Sequence, residues 1–210
     1  AASAAAAPAG RREAAPGKAK DVAPTAASAE PVPRVWKVRG DCRCLFRAVW
    51  RAVKDPQNQL ERDELGEPCD PRRRFAETQA ADWLRRDLCQ LMRRRAGEVA
   101  ELLAGTSPVE EFVARMENCR TWGDAICLRF LPDLDLVGRP IQVYALNRST
   151  GAAYDSGMYL PAEPRGRARA ALVLWYNGHS HYDLVDQGWL RSREEALYAA
   201  TAQGAAPPPA

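Results

Sequence analysis

The chain holds six cysteines and two histidines, and these are its candidates for nucleophile and general base. Cys42 and Cys44 stand together in Arg39-Gly40-Asp41-Cys42-Arg43-Cys44-Leu45-Phe46-Arg47-Ala48-Val49, where an extended segment gives way to an apolar helical pattern. Leu45, Ala48, Val49 and Val53 recur at helical spacing, so Cys44 falls at a helix N-terminus. Unpaired N–H groups and the positive end of the helix dipole meet there. Both favour a thiolate, which is the nucleophilic form, and such N–H groups also hold the oxyanion of an acyl-transfer intermediate. Cys44 is therefore the candidate nucleophile. Cys42, in the loop before the helix, is its rival.

A thiol of this kind needs a base. Both histidines lie far along the chain in Asn177-Gly178-His179-Ser180-His181-Tyr182-Asp183-Leu184-Val185. Nucleophile and base meet in space rather than in sequence. His181 is favoured, because Asp183 lies two positions on and residues i and i+2 of a strand share a face. His179 shares that spacing with His181 but falls in the turn and lacks an acid two positions later. Asp41, beside the cysteines, is a second candidate acid or simply a cap for the Cys44 helix.

On these residues the chain resembles the ovarian-tumour (OTU) cysteine proteases, which are deubiquitinases. The resemblance rests on Gly40-Asp41-x-Arg43-Cys44-Leu45-Phe46-Arg47-Ala48-Val49, on Trp122-Gly123 before a helix, and on His181-Tyr182-Asp183-Leu184-Val185, in that order. It covers about residues 34–187. It implies a papain-like α+β fold, with a helix-borne cysteine and a strand-borne histidine. It also implies ubiquitin, polyubiquitin or a ubiquitin-like modifier as partner, its C-terminal tail lying extended between the Cys loop and the His strand. Asp41 is the acid that the family's motif marks, expected to hold the catalytic loop or assist the histidine. Cys42 stands where the family usually has Gly, a place that suggests a loop conformation a side chain resists. Two other classes stay open: an impaired OTU-like ubiquitin-binding module, and a Cys-His hydrolase or acyltransferase acting on something else.

Composition bounds these readings. The 210 residues suit one domain with tails, at 46% hydrophobic. A net charge of +3 is too small to imply nucleic acid. No apolar run approaches the roughly 20 residues of a membrane span. Irregular cysteine spacing argues against a disulfide framework and for a reduced, intracellular setting, expected to be the cytoplasm. No cofactor is implied, and His179-x-His181 lacks the paired ligands of a zinc site. The chain is expected to be a monomer. The numerous arginines are balanced by acids and are expected on solvated helix faces.

The elements that must position the site follow in order. Residues 1–33 are Ala- and Pro-rich and are expected to be a disordered tail, though their low acid content resembles part of an organellar transit peptide. The OTU-like domain is expected over 34–203, and 204–210 as a second tail. Val35–Val38 reads as a short strand, and a helix from Cys44 ends before Asp55-Pro56. Residues 57–68 read as a polar loop. Asp70-Pro71 caps a long helix whose inner stripe includes Phe75, Ala80, Trp83, Leu84, Leu88, Leu91 and Met92, with Cys89 a small buried residue beside it. A short helix over 98–104 follows, ending at Gly105. Ser107 and Glu110 read as a capping box. Trp122 is expected to anchor the core, with Asp124 capping the helix after it. Residues 141–146 alternate as a strand, 154–160 read as an irregular one, and 171–176 as a buried central strand. Asn177-Gly178 signals a hairpin that returns through His181–Val185. Ser192–Thr201 reads as a terminal helix. The class is α+β, helices on a small, mostly antiparallel sheet.

Overall fold

The computed structural model describes residues 33–147, 149, 153–163, 169–186 and 189. The expected tails, the terminal helix over 192–201 and part of the loop over 161–169 lie outside them.

Five strands form one mixed sheet: β1 (Val35–Trp36), β2 (Ile141–Leu146), β3 (Ala153–Tyr159), β4 (Leu172–Tyr176) and β5 (Tyr182–Val185), in the order β1-β5-β4-β2-β3. The pairs are antiparallel except β2 with β4, which run parallel. β4 is central. Its Leu172 and Leu174 face the main core, while Val173 and Trp175 face a second cluster with Ala153 and Val185. A strand buried on both faces needs apolar residues at every position, which is why 171–176 does not alternate.

The helices cover one face: α1 (Cys44–Lys54), α2 (Pro71–Arg94), α3 (Ala96–Leu103), α4 (Val109–Glu117) and α5 (Ala125–Phe130), the last continuing into a 3₁₀ turn at Leu131–Asp133. α1 is the central helix. Cys44 through Val49 are buried on every side, and α1 packs against α2, β4 and β5. The expected stripe understates this, because α1 has no solvent face in its first two turns. α2 starts as its sequence indicates: Asp70 Oδ1 accepts from Arg72 N at 2.9 Å, with Pro71 in the first turn. Asp124 likewise caps α5 through Cys127 N at 3.0 Å.

Several expectations are corrected. Phe75 and Trp83 are 63% and 57% exposed; the inner face of α2 runs instead through Glu77, Ala80, Ala81, Leu84, Arg85, Leu88, Cys89 and Met92. Ser107 does not cap α4. Pro108 occupies the N-cap, and Glu110 pairs with Arg93. Trp122 is 39% exposed, so it does not anchor the core. Its neighbour Gly123 has that role: a Cβ there would lie 2.6 Å from Leu45 Cδ2 and 3.2 Å from Phe46 Cε2. The Trp-Gly pair works through the missing side chain, which lets the α5 entry lie flush against the first turn of α1.

The solvated-face reading of the arginines fails most clearly, because Arg47, Arg51 and Arg85 are among the largest fully buried side chains. Each is held by local hydrogen bonds through its Nη atoms, while its buried Nε stays unpaired. Arg47 donates to Asp41 Oδ2 at 3.2 Å and Thr78 at 3.0 Å, and lies 3.6 Å from Glu77. Arg51 donates to the Lys37 carbonyl and to Asn58. Burial and the nearby Arg62 lower Arg51 to about 10. The polar segment after α1 supplies Asn58 to Arg51 and reaches the start of the Cys loop as well. Glu67 accepts from Arg39 at 2.6 Å. Gly66, at φ +81°, lies so close to the Lys37 carbonyl that a Cβ would sit 2.1 Å from its oxygen. Residues 57–68 are thus a buttress for the strand that leads into the Cys loop.

Candidate active site

Cys44 is the first residue of α1 and is 1% exposed. Cys44 N donates to the Asp41 carbonyl at 3.0 Å, closing a four-residue turn. Arg43 has φ −97° and ψ −2°, the third-position geometry of a type I turn. Cys42 is then the second residue, in the helical region. No positive φ occurs at Cys42, so a side chain where the family has Gly carries no left-handed strain.

Of the N–H groups from Asp41 to Cys44, three are spent inside the loop. Asp41 N donates to the Arg39 carbonyl, Arg43 N to Asp41 Oδ1 at 2.9 Å, and Cys44 N to the Asp41 carbonyl. The remaining donor is the Cys42 N–H. The general expectation of an oxyanion site in this loop thus narrows to one peptide.

Asp41 is committed to the loop. One carboxylate oxygen takes Arg43 N and the other takes Arg47. It is not the N-cap of α1, a position held by Arg43 without a side-chain bond. The acid that meets the imidazole is Asp183, on β5, whose Oδ1 accepts from His181 Nε2 at 2.9 Å and from Val38 N at 2.8 Å. The two-residue strand spacing brings the pair together as expected. His181 itself lies just before β5, in a five-residue loop tied by one side chain: Asn177 Oδ1 accepts from the N–H groups of His179, Ser180 and His181. This loop is longer than the tight hairpin signalled by Asn177-Gly178. His179 is exposed within it.

The imidazole is pushed up to about 10, first by its hydrogen bond to Asp183 and then by the Cys44 sulfur beside it, which favours the imidazolium when it is a thiolate. It is therefore an imidazolium at neutral pH. Its Nδ1 is buried without an aligned hydrogen-bond partner. The Cys44 Sγ donates instead to the Ser180 carbonyl, 3.7 Å away. A thiol that releases Ser180 and its proton becomes the acceptor that the buried Nδ1–H lacks. Catalytic hydrogen bonds commonly tighten only when substrate is bound.

Cys89 and Cys127 are different in kind. Burial pushes Cys89 up to about 11 and Cys127 well above the usual thiol range, so both are inert core residues. Among the described residues, no group of three or more His, Cys, Asp or Glu side chains could hold a metal ion, and no helix is long and apolar enough to cross a membrane.

Sequence reasoning missed Arg85. It is buried beneath the Cys loop, where Nη2 donates to the Cys42 carbonyl at 2.6 Å. An arginine on a helix with many others gives no signal of burial; only its place beside Leu84 and Leu88 on the inner face could have suggested it.

No family model matches the chain, and no curated protein matches it. Solved structures do. The OTU domain of OTUD1 superposes with a TM-score of 0.50 at 17% identity, covering 71% of this chain and 81% of that one. The viral OTU domain protease from Dera Ghazi Khan virus gives 0.50 at 15% identity, covering 73% and 80%. A chain that superposes on these domains, with a cysteine at the start of its central helix and a histidine just before a strand of its five-stranded sheet, has an OTU-like, papain-like α+β fold.

Proposed function

We propose that the chain is a thiol protease that hydrolyses the isopeptide bond at the C-terminus of ubiquitin or a ubiquitin-like modifier. The observation that carries this reading is the Asp183–His181 pair beside Cys44, with an imidazolium whose buried Nδ1 lacks an acceptor. Arrangement and fold support the chemistry. The likeness of the fold to OTU domains supports the substrate class.

In the proposed reaction the Cys44 thiolate attacks the carbonyl of the scissile bond. Negative charge develops on its oxygen, and the Cys42 N–H is the donor available to it. The His181 imidazolium gives its Nδ1 proton to the departing lysine amine, leaving a thioester. The neutral imidazole then draws a proton from water, which attacks the thioester and frees Cys44. Asp183 holds the ring through Nε2 and stabilises its charged form. Asp41 acts on the loop alone. A thiolate nucleophile needs reducing surroundings, which is the ground for proposing an intracellular setting.

The test is hydrolysis of ubiquitin joined through an isopeptide bond to a fluorescent lysine peptide. Cleavage by the parent that is lost in Cys44→Ala and His181→Ala supports the reading. A folded parent that binds ubiquitin but leaves the bond intact makes the chain a ubiquitin-binding module. A parent that ignores ubiquitin altogether removes the substrate assignment.

A further inference from the structure

Two of the buried arginines, Arg51 and Arg85, have no carboxylate at ion-pair distance among the described residues, and of these two only Arg85 reaches the Cys loop. Arg47 pairs with Asp41 and Glu77, and Arg62 with Glu77 and Asp55. Arg85, 1% exposed, has no carboxylate at ion-pair distance among the described residues. Its partners are carbonyls: Met116 at 2.9 Å, Asn118 at 3.2 Å and Thr121 at 2.7 Å through Nη1, and Cys42 at 2.6 Å through Nη2. The guanidinium also lies 4.4 Å over the Phe46 ring. A buried charge without a counter-ion stabilises a fold less than an apolar side chain of similar size. Its bond to the Cys42 carbonyl places it where a role beyond stability can be sought.

The geometry of the Cys loop supplies one. In the helical region, a residue's N–H and C=O point in nearly opposite directions, as they do along a helix axis. Cys42 sits in that region, at the second position of the type I turn. Fixing its carbonyl in the helical layer thus fixes where its N–H points. We propose that Arg85 is a positioning residue for catalysis: by anchoring the Cys42 carbonyl to the α4–α5 connection, it aims the Cys42 N–H at the oxyanion that forms beside Cys44. This rests on Cys44 being an acyl-transfer nucleophile, and it does not depend on ubiquitin being the substrate.

Two small reagents separate this role from a merely structural one. Iodoacetamide alkylates a thiolate by displacement: a C–S bond forms, iodide leaves, and no oxyanion arises. p-Nitrophenyl acetate acylates the same sulfur through a tetrahedral oxyanion: a thioester forms and nitrophenolate leaves. Both rates are measured on the full chain, taking Cys44→Ala as background, for the parent, Arg85→Met, Arg85→Lys and Cys42→Pro. Proline suits the second position of a type I turn and removes the N–H together with the thiol, so Cys42→Ala, which loses the thiol alone, is its reference.

The expected result is a fall of about 100-fold in acylation for Arg85→Met and for Cys42→Pro, the loss typical of one oxyanion donor. Alkylation stays within about threefold of the parent, Arg85→Lys retains part of the acylation rate, and the double variant that combines Arg85→Met with Cys42→Pro is no slower than either single one. If Arg85→Met does not fold, the comparison rests on Arg85→Lys, whose acylation then falls while its alkylation holds. Acylation and alkylation falling together, acylation left unchanged, or losses that multiply in the double variant would each overturn the proposal. Failure of the parent to cleave ubiquitin while these rates behave as expected would sink only the substrate assignment.

Discussion

Replacing Asp183 by Asn removes a charge while keeping a geometry. A single atom, Oδ1, accepts from both Val38 N and His181 Nε2. An asparagine oxygen can take its place, and the opposite amide orientation would set an N–H donor against the Val38 N–H. The ring therefore keeps its position and its Nε2–H, and only the Coulomb attraction is lost. At the observed 2.9 Å, that attraction is about 1.4 kcal/mol in water and about 6 kcal/mol at an effective dielectric of 20. At about 1.4 kcal/mol per pKa unit, these bracket a drop of about one to four units. The side chains are 18% and 14% exposed, so a drop of about two units, from about 10 to about 8, is the working expectation. Isopeptide cleavage needs the imidazolium as the acid that releases the amine. At pH 7 both proteins hold it almost fully, and the variant stays within about twofold of the parent; at pH 9 it falls about tenfold behind. The assay is cleavage of the ubiquitin–lysine peptide from pH 6 to 10.5. An alkaline limb that does not move, or a loss equal at every pH, would refute the charge argument. Stability carries the same sign. The raised His181 contributes fully below about 6.5 and loses its contribution as pH rises through about 10. Denaturant unfolding should show the parent weakening from pH 7 to 10 more than Asp183→Asn does.

Substitutions at three further positions test the supports of the site. Asp41→Ala orphans Arg43 N and takes one partner from the buried Arg47, so it should lower stability by about 2 kcal/mol in denaturant unfolding and slow turnover; Asp41→Asn should leave the alkaline limb at about 10, because Asp41 does not touch the ring. Cys42→Gly should leave turnover within about twofold and lower stability by about 0.5–1 kcal/mol, since Cys42 has no positive φ and glycine only loosens the unfolded chain. Gly123→Ala places a methyl 2.6 Å from Leu45 Cδ2, so it should cost about 1–3 kcal/mol in thermal unfolding and displace the first turn of α1, with a matching loss of activity.

Local signals in the sequence reached the chemistry further than the scaffolding. Asp70-Pro71, Asp124 and the strand over 141–146 have fixed local geometries, and each appears where its pattern puts it. The His181–Asp183 contact appears at the two-residue spacing the sequence indicated, although His181 stands one position before β5, in the loop tied by Asn177. Roles that depend on a distant partner were not legible. Whether Asp41 or Asp183 serves the imidazole was decided by Arg47 and the Arg43 N–H, which occupy Asp41 completely. Apolar periodicity put Phe75 and Trp83 inward because it counts residues by type, whereas the inner face of α2 accommodates Arg85 and Glu77. A buried arginine is invisible to such a count, since its partners are carbonyls contributed by Cys42, Met116, Asn118 and Thr121. Trp122 misled for the opposite reason: the packing contact belongs to Gly123, which has no side chain to announce it.

The central claim is that Cys44, activated by His181, attacks a carbonyl at the end of ubiquitin. A ubiquitin bearing a thiol-reactive electrophile in place of its C-terminal carboxylate tests it most directly. The expected result is a single covalent adduct on the parent, mapped by mass spectrometry to Cys44, retained in Cys42→Ala and lost in Cys44→Ala, with His181→Ala labelled far more slowly. A folded parent that forms no adduct, or an adduct that survives Cys44→Ala and moves with Cys42, would contradict it.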